Sequence, residues 1–146
     1  MNRQSPRLKL IRSARGGRAR EAGRSAEVVA AILLILKGWR ILGFRLKTPQ
    51  AEIDLLARRG RILAVVEVKS RTTLEEALAS VRPSQQERLR RAGESLAARR
   101  KSLSGLAVRL DMVALAPGRW PRHIPDAWAG AGGDLQGGNT GAGGRA

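Results

Sequence analysis

Gln50-Ala51-Glu52-Ile53-Asp54-Leu55-Leu56-Ala57, an arginine-rich connection Arg58-Arg59-Gly60-Arg61, and Ile62-Leu63-Ala64-Val65-Val66-Glu67-Val68-Lys69 decide how this chain is read. Ile62 to Val66 is apolar on both faces of a strand, as in a sheet covered on both sides. A carboxylate and an ammonium then follow two residues apart. Side chains at i and i+2 leave a strand on one face, so Glu67 and Lys69 point the same way from the end of a buried strand. Charge there is costly unless it is paired or holds a metal. Asp54 stands at the matching end of the preceding strand, and a connection this short makes the two strands antiparallel neighbours.

Working outward, Ser25 to Lys37 has the spacing of a helix ended by Gly38. Being apolar nearly all round, it is expected to be mostly buried. Trp39 to Phe44, Glu52 to Ala57, Ile62 to Lys69 and Val108 to Leu115 read as strands. Thr73 to Ser80 reads as a short helix. Ser84 to Lys101 is a longer one, with a capping-box pattern in Ser84 and Glu87, an inner face of Leu89, Ala92, Leu96 and Ala97, and arginines on the outside. His123 to Trp128 is strand-like. The order α-β-β-β-α-β predicts an α/β sandwich around a mixed central sheet. Residues 1–20 read as a basic, disordered arm, 21–129 as the folded domain, and 130–146 as a Gly/Ala-rich disordered tail.

Composition narrows the chemistry. The 146 residues contain no cysteine and one histidine, His123, which leaves neither a thiolate zinc site nor a cysteine nucleophile and disfavours Ser-His-Asp chemistry. The longest apolar run, Val28 to Leu36, is nine residues, against about 20 for a bilayer span. A soluble, cytoplasmic protein is expected. The 28 Lys+Arg against 12 Asp+Glu give a net charge of +16. Only seven of the basic residues lie in the first twenty, so the excess is not confined to the arm. Such a surface suits nucleic acid, to which cations bind by releasing counterions. Aromatic residues, at 3%, are too sparse for an extended stacking platform.

Phosphodiester hydrolysis needs an activated water and a counter-charge for the phosphoryl oxygens, both of which a hard divalent cation supplies. Mg²⁺ binds through one or two carboxylates and keeps several waters. Asp54 and Glu67 are the carboxylates expected to hold Mg²⁺ or Mn²⁺, with the Val68 carbonyl as a third ligand. Lys69 is placed to orient or deprotonate the attacking water or to stabilise developing charge. Glu27, an acid on an otherwise apolar helix, reaches the same site if that helix packs across the sheet; otherwise it is a first-turn carboxylate favoured by the helix dipole. Arg71, Arg88 and Arg91 are the candidate phosphate contacts. Glu52 reads as a rim residue paired with an arginine, Asp111 as a structural acid bonded to Arg109 or to nearby backbone, and His123, Trp39, Trp120 and Trp128 as packing residues.

These residues resemble a known family. Gly23-x-x-Ala26-Glu27, Gly38-Trp39-Arg40-Ile41-Leu42, Glu52-Ile53-Asp54-Leu55, Val66-Glu67-Val68-Lys69-Ser70-Arg71, Val81-x-Pro83, Arg109-Leu110-Asp111-Met112-Val113 and His123-Ile124-x-Asp126-Ala127-Trp128 look like the YraN-type family of bacterial proteins. That family is similar to Holliday junction resolvases and to the wider restriction-endonuclease-like class. The resemblance covers residues 23 to 128 and implies a restriction-endonuclease-like fold, with Asp54, Glu67 and Lys69 as its signature and Glu27 as an accessory acid. Taken with the acids, the lysine and the basic surface, it leads to the expectation of a DNA nuclease dependent on Mg²⁺ or Mn²⁺, acting on branched or repair intermediates. A nucleic-acid-binding protein of DNA or RNA that retains the fold without catalysis is the alternative. Gln50-Ala51 stands where many relatives have Gly-Gly, and Gln85-Gln86 where they have Lys-Gln. Either glutamine can still reach the site or the nucleic acid. Symmetric cutting of a junction would require a C2 homodimer.

Overall fold

The computed structural model describes the backbone of residues 6–129 and the side chains of residues 21–129. Helix α1 spans Pro6–Leu36, strand β1 Arg40–Lys47, β2 Glu52–Arg59, β3 Ile62–Ser70, helix α2 Leu74–Ala79, α3 Pro83–Arg99, β4 Ala107–Leu115 and β5 Arg122–Ile124, with a short 3₁₀ turn at Lys101–Leu103. The sheet order is β1-β2-β3-β4-β5. β3 and β4 are parallel, joined by α2 and α3, and the other neighbours are antiparallel. This is the expected α/β sandwich around a mixed sheet. α1 begins at Pro6 rather than Ser25, its early turns rich in Arg, Ala and Leu, all good helix formers. The expected roles of the arm's side chains and of the tail fall outside the described residues.

α1 ends where Gly38, at φ +88°, lets the chain reverse. The Trp39 amide donates to the Leu34 carbonyl and the Gly38 amide to that of Ile35, the pairing of a Schellman cap. The cap drops Trp39 beside Leu34, and both are buried with Ala30, Ala31, Leu55, Ala57, Ala64, Val66 and Val113 in the layer between α1 and the sheet. On the other face, Leu89 and Ala92 of α3 pack against Leu56, Leu63, Val65, Leu110 and Met112. α3 approaches so closely that a Cβ at Gly93 would lie 2.5 Å from Val65 Cγ2 and 2.8 Å from Val108 Cγ1.

Two expectations are corrected. α3 is capped at Arg82, with Pro83 at the first helical position, and no Ser84–Glu87 capping box forms. Proline is pre-organised for that position and holds the residue before it extended, so the helix starts ahead of Ser84. Glu87 instead pairs with Arg91, at 3.0 Å. Nor is α1 buried all round. One sheet covers one face of a helix, and Val28, Val29, Ile32, Ile35 and Leu36 remain on the outside.

Candidate active site

Alternation along β3 sets the direction of the charged residues. Leu63 and Val65 pack toward α3, Ala64 and Val66 toward α1, so Glu67 and Lys69 emerge on the α3 face. There the Lys69 ammonium lies 3.1 Å from Glu67 Oε1, and the Glu67 side chain is only 6% exposed.

Asp54 arrives by a fault in its own strand. β2 pairs with β3 only from Leu55↔Val66 onward, while its pairing with β1 continues to Glu52. The alternation slips at the same point, because Ile53 packs toward α3 and Leu55 toward α1, which residues at i and i+2 of an unbroken strand cannot do. Opposite, Arg45 of β1 adopts a left-handed φ of +46°, a conformation uncommon for a residue with a side chain. In the gap left as β2 peels away, the Val68 amide donates to Asp54 Oδ2 at 2.9 Å, so a carboxylate replaces a ladder carbonyl. The N–H and C=O of one residue leave a strand along the same edge, so the Val68 carbonyl also faces this gap.

The electrostatics are those of crowded anions. Burial raises the proton affinity of Glu67, the Asp54 charge raises it further, and Lys69 only partly offsets them, leaving the Glu67 pKa at about 7. Asp54 is also raised by burial, against the pull of the Val68 amide and Lys69. Two carboxylates whose proton affinities are both raised, beside a carbonyl, form a donor set that a small, oxygen-seeking divalent cation fits.

The remaining candidates are dispersed. Glu27 is not gathered with the pair: its Oε2 accepts from Arg45 Nε at 2.7 Å, and no group of three or more acidic or histidine side chains suited to a metal occurs among the described residues. Gln86 is half-buried and donates to the Val81 carbonyl at 3.0 Å, while Gln85 is half-buried one position earlier. Arg88 is exposed on α3, and Arg91 is exposed but tied to Glu87. Arg71 is exposed just past the end of β3. Glu52 lies on the rim as expected, though no arginine is within salt-bridge distance of it among the described residues.

Asp111 lies on the other side of the sheet, fully buried. It accepts from Arg109 Nε at 2.7 Å and Nη2 at 2.9 Å, from His123 Nε2 at 2.8 Å and from the Asp126 amide at 3.0 Å. Burial alone would raise its pKa, but the His123, Arg109 and Asp126 donors outweigh that and hold it at about 2. The Lys37 ammonium lies 2.6 Å from His123 Nδ1. With Nδ1 accepting from that ammonium, Nε2 is left to donate to Asp111. Trp39 packs beneath this cluster with the guanidinium of Arg59 4.7 Å and that of Arg109 5.4 Å from its ring centre. Trp128 is also buried, its indole donating to the Leu78 carbonyl. Trp120 departs from the expected packing role, being 90% exposed.

Sequence reasoning missed Arg45, because a left-handed arginine leaves no sequence signal. It also misjudged Trp120, although Pro117-Gly118 just before it marks a surface turn.

A mixed sheet between helices, with the buried Glu67, the half-buried Asp54 and Lys69 near the ends of adjacent strands, defines an α/β-sandwich protein. The chain belongs to the uncharacterised protein family UPF0102, whose pattern matches residues 26–115 and so includes Glu27, Asp54, Glu67 and Lys69. This is the YraN family to which the motifs pointed. The chain is 64% identical over 121 residues to a UPF0102 protein of Caulobacter vibrioides (strain NA1000 / CB15N), covering 83% of this chain and 97% of that one. It is 50% identical over 115 residues to one of Parvibaculum lavamentivorans, covering 79% and 86%, and 46% identical over 111 residues to one of Rhizobium meliloti, covering 76% and 91%. No described helix is long and apolar enough to cross a membrane.

Proposed function

We propose that the protein is a nuclease that hydrolyses DNA phosphodiester bonds with Mg²⁺ or Mn²⁺ held by Asp54, Glu67 and the Val68 carbonyl. The observation that carries this reading is the meeting of Asp54 and Glu67 at a deliberate break in β2, where both resist ionisation without a cation. When bound, the cation supplies positive charge to the phosphoryl oxygens and acidifies water. Lys69 holds its ammonium against Glu67, at the position from which it orients the attacking water or meets charge developing on the phosphate. Asp54 is fixed by the Val68 amide, which limits its rotation. Glu27 acts at one remove, positioning Arg45 beside the break in the strands. The chain's net charge of +16 supports a polyanionic substrate.

The test is incubation of purified protein with branched and linear DNAs in Mg²⁺, Mn²⁺ or EDTA. Cleavage in either metal, absent in EDTA and in Asp54→Ala, is the expected result. Salt-dependent binding without cleavage of any DNA in either metal would instead make the protein a binding module with the same fold.

A further inference from the structure

A cavity of about 250 Å³ opens past the C-terminal ends of β3 and β4, one strand over from Lys69, lined by Arg71, Arg119, Arg122 and Trp120 with Glu75 as the acidic residue on its wall. Its position follows from the register. Lys69 pairs with Ala114 and Ala114 with Arg122, so the three form one row across β3, β4 and β5. Ile124 packs on the α3 side, which puts Arg122, two residues earlier, on the face that carries Lys69. The small side chain of Ala114 leaves a trough between the two cations, whose Cα atoms are two strand spacings apart, about 10 Å. Arg71 enters from the end of β3. Arg119 and Trp120 come from the turn after β4, closed by the Arg119 amide on the Ala116 carbonyl. Among the described residues, no carboxylate is within salt-bridge distance of Arg71, Arg119 or Arg122.

From this juxtaposition of three guanidinium groups and an exposed indole with the Lys69 row, we infer that the cleft is a subsite for an unpaired nucleotide of a DNA strand, its base stacked on Trp120 and its phosphates held by Arg71, Arg119 and Arg122. Guanidinium groups match phosphate oxygens, and an aromatic face gains by stacking on a base of any sequence. Inside a duplex both faces of a base are already covered. The base that meets Trp120 is therefore in a single-stranded stretch, a flap or a frayed end, a short way along the strand from the phosphate at Lys69. The inference rests on the nuclease reading for the identity of the strand, and it narrows the substrate to DNA with an unpaired segment at the cut.

The test is equilibrium binding in EDTA, read by tryptophan emission and by anisotropy of a labelled probe. The probes are a short single-stranded oligodeoxynucleotide, a blunt duplex of the same length and a free deoxynucleoside monophosphate. Trp39 and Trp128 are buried, so quenching by the single strand reports on Trp120. Trp120→Ala is expected to lower the preference for single strand over duplex by about tenfold or more, and Trp120→Phe to restore part of it. Arg122→Gln is expected to shallow the logarithmic salt dependence of single-strand binding by about 0.7. An unchanged preference in Trp120→Ala, with an unchanged melting temperature, would overturn the proposal. So would monophosphate binding as tight as that of the oligonucleotide, which would make the cleft a small-nucleotide site. Because no cleavage occurs in EDTA, stacking without metal-dependent cutting would condemn only the nuclease reading, and cutting without the Trp120 effect would condemn only this subsite.

Discussion

Asp111 and the Asp54–Glu67 pair occupy opposite faces of one sheet, and both are acids inserted into apolar strands. Asp111 is met by four hydrogen bonds, from Arg109, His123 and the Asp126 amide, and its pKa is held down to about 2. Asp54 and Glu67 have one backbone amide and one ammonium between them, and Glu67 is pushed up to about 7. A buried carboxylate that the fold satisfies is part of the scaffold. One that the fold brings near a second acid and leaves short of positive charge is, on the proposed reading, the place for a cation from outside.

The largest effect that would sharpen this contrast is on turnover. Lys69→Met is expected to lower the single-turnover rate at saturating DNA by about 10²–10⁴ with little change in DNA affinity, as for a group that acts mainly in the transition state. Weaker binding with a normal rate at saturation would make Lys69 a phosphate contact only. Next comes stability, where the two centres should respond in opposite ways. Asp111→Ala leaves the half-buried Arg109 and the buried His123 ring without their carboxylate and is expected to cost about 3–5 kcal/mol in denaturant unfolding. Asp54→Asn in metal-free buffer removes a repulsion and is expected to be neutral or stabilising. Equal losses at both positions would erase the distinction.

The pH dependence is the subtler probe, and its sign differs between the centres. Glu67 binds its proton more tightly in the folded than in the unfolded state, so the metal-free protein should lose stability as pH rises from about 4.5 to about 7. Glu67→Gln should flatten that slope. Asp111 is depressed in the folded state, so its contribution is complete above pH 3.8 and is lost as pH falls through about 2. A metal-free unfolding series in which Glu67→Gln leaves the slope between pH 4.5 and 7 unchanged would remove Glu67 from the set of strained acids.

The contrast between the centres was only half legible in the sequence. The β3 strand and the shared face of Glu67 and Lys69 follow from local alternation, which a doubly covered strand displays plainly. Asp111 stood out as an acid in an apolar strand, and its bond to Arg109 lies within reach of the same periodicity. The donors that complete its shell come from β5 and the turn after it, contacts that no local pattern encodes. The break that brings Asp54 to Val68 depends on β2 leaving β3 while staying on β1, and on Arg45 turning left-handed opposite it. These are properties of the assembled sheet. The Ser84–Glu87 capping pattern misled because Pro83 offered a better start, and Trp120 because an aromatic residue in a small domain is usually packed.

The central claim is that Asp54 and Glu67 form a divalent-cation site, and calorimetric titration of Mn²⁺ into metal-free protein tests it most directly. The wild type should bind one equivalent, more tightly at pH 8 than at pH 6 because the ion competes with the proton on Glu67. The Asp54→Ala, Glu67→Ala double variant should show no such binding while melting as a folded protein. Equal Mn²⁺ binding by wild type and double variant would contradict the account.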